Sequence, residues 1–82
     1  MPPEDLYDAL HLRPFEPFII QVSDGTQYTI RHPDLVLVGL RSAVIGIPAA
    51  GKKAIYERYE TVALSHVVKL LPVETKEAGT KG

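Results

Sequence analysis

The apolar segments of this 82-residue chain are short, and so are the connections between them. A parallel pair of strands needs a crossover of about a dozen residues or more, usually a helix. Here the apolar segments are separated by brief stretches rich in glycine, proline and aspartate, which are typical of tight turns. The sequence therefore predicts that successive strands run antiparallel in a mainly β domain.

The clearest antiparallel pair spans residues 18–31. Apolar residues recur with period two from Phe18 to Val22, as expected for a half-buried strand, and a second alternating segment follows at 27–31. Asp24 and Gly25 lie between them, and glycine adopts a positive φ at little steric cost. We therefore predict a hairpin that turns at these two residues.

Four more strands are predicted, at residues 35–38, 43–47, 56–64 and 67–71. The first of them, Leu35–Val38, is apolar on both faces, which favours a central position in a sheet. Residues 54–60 leave an alternative open, because Ile55 and Tyr59 also lie at helical spacing. We prefer a strand there, since tyrosine, threonine and valine dominate the segment that follows.

A short helix is predicted before the strands, at about residues 4–12. Leu6 and Leu10 fall on one face at helical spacing, and acidic residues suit the first turn of a helix. Pro14 disfavours helical geometry in the residue before it, so the helix must end by then. The Pro-Phe pairs of residues 14–18 predict a stiff connector anchored on the core by its aromatic rings.

Residues 1–73 are thus predicted to form one domain, in which the helix precedes a five- to six-stranded, strongly bent antiparallel small barrel. Residues 74–82 contain no apolar side chain larger than alanine, and we expect a flexible polar tail. The pattern resembles Sm-like and SH3-like barrels, and Leu64–Leu70 is similar to their last turn and strand. The RNA-contacting residues of the bacterial Sm-like RNA chaperone have no position-by-position match here.

Three segments resemble a signature of short uncharacterised bacterial proteins. They are a Leu-x-Pro-Phe-x-Pro-Phe opening at Leu12–Phe18, a Ser-Asp-Gly turn at Ser23–Gly25, and an Arg-His-Pro-Asp segment at Arg31–Asp34. The resemblance covers most of the chain and implies bacterial origin. It implies no activity.

Composition excludes several classes of protein. The chain is 45% hydrophobic and 23% charged, which argues against disorder, and it lacks cysteine, which excludes disulfides and thiolate metal sites. The net charge of -1 gives no overall attraction to nucleic acid or anionic membranes. No apolar run approaches the roughly 20 residues that cross a bilayer, and the start is acidic rather than basic. We therefore expect a cytoplasmic protein without a membrane partner.

No residue pattern predicts catalysis, a cofactor or a metal. Residues 46–53 match the spacing of a phosphate-binding loop, but Lys53 occupies the position of its magnesium-binding hydroxyl and Pro48 removes an N–H donor. His11, His32 and His66 match no zinc-ligand spacing. The sequence thus favours a protein that is not an enzyme.

Two functions remain in competition. The first is self-association as a homo-oligomer, by pairing of edge strands whose candidate interface residues are Val36, Val38, Leu40, Val68 and Leu70. The alternative is RNA binding, or binding of another protein, through a local basic surface that offsets the acidic N-terminal part. Its candidate residues are Arg31, Arg41, Lys52, Lys53, Tyr56 and Arg58, with Tyr59 as a second aromatic ring for base stacking.

Overall fold

One helix and six strands make up the part of the chain that the computed structural model describes, residues 1–52 and 55–73. Two three-residue 3₁₀ turns, Pro33–Leu35 and Leu64–His66, interrupt the order of strands. The elements are α1 (Pro3–Leu10), β1 (Phe18–Val22), β2 (Gln27–Ile30), β3 (Val36–Val38), β4 (Ser42–Pro48), β5 (Tyr56–Ala63) and β6 (Val67–Pro72). The prediction of a mainly β domain with a short N-terminal helix is confirmed.

The strands form two three-stranded antiparallel sheets, with orders β2-β1-β6 and β3-β4-β5. In the first sheet β1 pairs with β2 and, after a long return through the second sheet, with β6. In the second sheet β4 is central and pairs with β3 and β5. Both β1 and β4 are therefore central strands, and the other four each have one partner within the described residues.

The placement of Leu35–Val38 as a central strand is wrong. Leu35 ends a 3₁₀ turn, and the three residues Val36–Val38 form β3, an edge strand paired only with β4 among the described residues. Its apolar faces have different surroundings: Val36 is buried, whereas Leu37 is 72% exposed. The segment is apolar on both faces because it contains an exposed leucine, and not because a second strand lies beside it among the described residues.

The segment that allowed a helix or a strand is a strand. β5 spans Tyr56–Ala63 and pairs with β4 from Ser42 opposite Ala63 to Pro48 opposite Tyr56. A register shift between Ile47 and Pro48 interrupts the pairing near the start of β5. Lys53 and Ala54, which come between β4 and β5 in the sequence, lie outside the described residues, as does the predicted tail at 74–82.

The β1–β2 hairpin turns at Asp24 and Gly25, as predicted. Gly25 has a φ of 93°, and its N–H donates to the carbonyl of Val22 at 2.9 Å. The N–H of Thr26 donates to Asp24 Oδ1 at 2.9 Å, and this hydrogen bond lowers the pKa of the Asp24 carboxyl. Local hydrogen bonds thus fix a turn that needs one left-handed residue.

Both sheets and α1 share one hydrophobic core. Leu6 and Leu10, predicted to share a helix face, are 0% and 4% exposed, and α1 packs against β3. Phe15 packs beside the core, with its ring centroid 6.1 Å from that of Phe18. The connector is therefore anchored by its aromatic rings. The buried residues are Leu6, Leu10, Phe18, Ile20, Val22, Ile30, Leu35, Val36, Ala43, Ile45, Val62, Leu64 and Val67.

No helix in residues 1–52 and 55–73 is long and apolar enough to span a membrane.

Candidate binding surfaces

A cleft of about 330 Å³ lies where the end of β2 approaches the loop that follows β4. Thr29 and Arg31 flank buried Ile30, the last residue of β2, and both are exposed, so they lie on the outer side of the sheet. Lys52 approaches from the β4–β5 loop. Two of the predicted basic residues, separated by 21 positions, are therefore brought to one cleft.

The same cleft has an apolar wall and a third nitrogen donor. Leu35, 5% exposed, and Pro48 line it together with His32. None of the described residues that line the cleft carries a carboxylate. Arg31 and Lys52 form no ion pair among the described residues, so their charges are available to bind an anion.

Arg41 does not belong to this cleft. It immediately precedes β4, whereas Lys52 follows the other end of the same seven-residue strand. At about 3.3 Å per residue, β4 holds the two ends roughly 20 Å apart. The predicted basic residues therefore do not form one compact site, and the position of Lys53 lies outside the described residues.

The charge of Arg58 is balanced within the protein. Its Nε donates to Glu60 Oε2 at 2.8 Å, and a terminal nitrogen lies 3.4 Å from Glu57 Oε2. The hydroxyl of Tyr28 donates to Glu60 Oε1 at 2.6 Å. This hydrogen bond, followed by that from Arg58, lowers the pKa of Glu60, and it raises the pKa of Tyr28 to about 12. Arg58 is thus a poor candidate for contact with an external anion.

The residues predicted to stack on RNA bases, Tyr56 and Tyr59, and their predicted cation, Arg58, lie on two different faces of β5. Tyr59 lies opposite Gly46 and Arg58 opposite Ile47, and neighbouring residues of a strand point to opposite faces. Tyr59 is 66% exposed, and its ring meets that of Tyr56 edge to face, with centroids 5.6 Å apart. The two tyrosines therefore stay together, but the cation expected beside them faces the other way.

Gly46 is a strand residue and not the start of a phosphate-binding loop. It lies within β4 and is buried, and a Cβ built there would be 3.1 Å from the ring of Tyr56. The hydroxyl of Tyr56 in turn donates to the carbonyl of Asp34 at 3.3 Å. This glycine is explained by close packing against an aromatic ring.

The histidines are spread over the molecule. His11 stacks on Tyr7 with ring centroids 4.0 Å apart, His32 lines the basic cleft, and His66 ends the second 3₁₀ turn. No group of three potential metal ligands occurs within residues 1–52 and 55–73.

The predicted interface residues have unequal exposure. Leu40 is 79% exposed and Val68 is 55% exposed, so both are available to a partner. Val38 and Leu70 are partly buried and pack against the core. Val36 is 6% exposed and belongs to the core, so it has almost no surface to offer.

Exposed apolar residues surround the β3 edge. Leu37, which is not among the five predicted interface residues, is 72% exposed, and Tyr7 on the adjacent helix is 53% exposed. A cleft of about 300 Å³ lies between Tyr7, Val38 and Leu40. We call Tyr7, Leu37, Val38 and Leu40 the β3 surface. Tyr7, the helix residue of this surface, could have been assigned to it only by knowing that α1 packs against β3.

Comparison of the chain with protein-family models, with curated proteins and with solved structures gives no match.

Proposed function

We propose that this protein is a non-enzymatic small β-barrel module whose role is self-association through the β3 surface. The observation that carries the proposal is the exposure of Leu37 in an edge strand and of Leu40 two residues after its end. Burying one leucine side chain contributes about 1.5–3 kcal/mol, so leaving a group of them in water is costly. A second copy of the chain would remove that cost.

The order of strands supports the Sm-like or SH3-like barrel in this proposal. β2 is followed by a 3₁₀ turn and β3, and the chain thus passes from the first sheet to the second. A further 3₁₀ turn, Leu64–His66, returns it to the first sheet, where β6 pairs with β1. We propose that two sheets joined in this way form the halves of a strongly bent, partly open barrel.

The edge strands suggest how two copies of the chain would associate. β3 has one side unpaired among the described residues, and its free N–H and C=O groups can extend a sheet into a partner. The same surface on two copies can meet around a two-fold axis. β6, with exposed Val68, is the second candidate edge, and an experiment can separate the two.

The experiment measures solution mass by light scattering at micromolar concentrations. We expect the wild type to have a multiple of the monomer mass, little changed by salt, and Leu40→Glu to be a folded monomer. Thr61→Glu is the matched control, because it adds the same charge at an exposed residue of β5. Val68→Glu tests β6 and should leave the assembly intact. A monomeric wild type, or dissociation by Val68→Glu alone, would contradict association through β3.

RNA binding remains the alternative proposal, and the structure gives it less support. Arg41 and Lys52 lie at opposite ends of β4, and Arg58 is paired with two glutamates. Phosphate-backbone contacts weaken steeply as the salt concentration rises, whereas apolar association does not. Salt dependence therefore separates the two proposals.

A further inference from the structure

We propose that the cleft between β2 and the β4–β5 loop binds the phosphate group of a small phosphate monoester. The proposal is independent of self-association, because the cleft and the β3 surface share no lining residue. It rests on the cationic side chains that line the cleft and on the lack of a carboxylate among its described lining residues.

The donors of the cleft suit a phosphate dianion. Arg31 and Lys52 supply two positive charges, and Thr29 and His32 add a hydroxyl and an imidazole. A guanidinium presents a planar set of N–H donors that matches two oxygens of a phosphate, and a lysine ammonium adds a compact charge. Two fixed positive charges match the two negative charges of a phosphate dianion, whereas a carboxylate ligand carries only one negative charge.

The availability of these cations is the second argument. Arg58 illustrates a cation that the fold itself neutralises, with glutamate oxygens at 2.8 and 3.4 Å. Arg31 and Lys52 have no such partner among the described residues, and no carboxylate lines their cleft in that part of the chain. Two like charges that line one cleft, with no carboxylate among its described lining residues, favour the binding of an anion there.

The remainder of the cleft favours an ester over free phosphate. Its volume of about 330 Å³ is larger than one phosphate needs and lies at the lower end of small-ligand sites. Exposed Pro48, with the small accessible part of Leu35, forms an apolar wall that an inorganic ion would leave unused. A phosphate group bound by the cations, carrying an apolar or planar substituent against this wall, uses both parts.

The test is a titration followed by ¹H–¹⁵N NMR at constant ionic strength, with phenyl phosphate and inorganic phosphate as probes. We expect saturable shifts at amides near residues 29–35 and 49–52, with tighter binding of phenyl phosphate. Arg31→Gln and Lys52→Gln should each weaken binding by about tenfold or more, the loss expected for one charge-assisted hydrogen bond. Both side chains are exposed, so the variants should fold normally.

Arg41→Gln is the matched control, because it removes an exposed arginine at the opposite end of β4. It should leave the affinity for phenyl phosphate unchanged. Equal weakening by Arg41→Gln would overturn the proposal, because it would indicate attraction to overall charge and not a site. Equal affinity for the two probes would overturn the assignment to an ester, and the absence of saturable shifts would overturn the site itself.

Discussion

Gly25 has the most demanding backbone conformation of the β1–β2 hairpin. Its φ of 93° lies in a region that residues with a Cβ rarely adopt. Nothing lies within 4 Å of a Cβ built at this position, so the constraint comes from the backbone and not from crowding. The hairpin in turn sets the register of β1 with β2, which aligns Phe18 with Ile30 in the core.

We predict that Gly25→Val lowers the free energy of unfolding by about 1–3 kcal/mol, because a β-branched residue is strained at a positive φ. Urea denaturation monitored by circular dichroism measures the change. Gly25→Asn is the control and should cost less, because asparagine tolerates the left-handed region better. An equal cost for the two variants would show that strain at φ is not the cause.

At the scale of elements, α1 closes the core on the side of β3. Its acidic first turn and its two buried leucines follow directly from the spacing in the sequence. The helix nevertheless covers β3 only in part, because Leu37 remains exposed beyond it. A short helix of eight residues gains its stability from this packing and not from its own hydrogen bonds.

We predict that Leu6→Ala destabilises the fold by about 2–5 kcal/mol, the range for removing a fully buried leucine side chain. Thermal and urea unfolding measure the effect. Leu12→Ala is the control, because Leu12 follows the helix and is 47% exposed, so its loss should matter little. Equal effects of the two substitutions would mean that the helix does not cover the core in solution.

At the scale of the whole molecule, a polar contact joins the two sheets. Tyr28 belongs to β2 of the first sheet and Glu60 to β5 of the second, and their hydrogen bond measures 2.6 Å. The contribution of this hydrogen bond to stability falls at both acidic and alkaline pH. The lowered pKa of Glu60 gives stability that is present above its ordinary value of 4.5 and is lost as the pH falls through the lowered value. The raised pKa of Tyr28 gives stability that is lost as the pH rises from 10.0 towards about 12.

We predict that Tyr28→Phe lowers stability most at intermediate pH, and that its difference from the wild type shrinks at both acidic and alkaline pH. Denaturant unfolding at a series of pH values measures this. Tyr59→Phe is the control, because the Tyr59 hydroxyl makes no hydrogen bond within residues 1–52 and 55–73. A difference for Tyr28→Phe that does not vary with pH would mean that the contact is not formed in solution.

The sequence predicts features that depend on neighbouring residues. The hairpin at Gly25, the face of α1 and the strand at Tyr56–Ala63 each follow from local pattern. Features that depend on distant parts of the chain could not be predicted in this way. The edge position of β3 depends on which strands pair, and the cleft depends on Arg31 and Lys52 lining the same space. The Tyr28–Glu60 hydrogen bond likewise requires strands of two different sheets to meet, whereas Arg58 pairs with glutamates of its own strand.

The contact between Gly46 and Tyr56 constrains how this sequence can change by mutation over time. An alanine at position 46 would displace the ring by a few tenths of an ångström, and a bulkier residue would need more space than the ring leaves. The easier order of events is therefore a smaller residue at position 56 first, followed by a side chain at position 46. Once both changes have occurred, a return to tyrosine is obstructed, so descendants of this sequence should differ at both positions together.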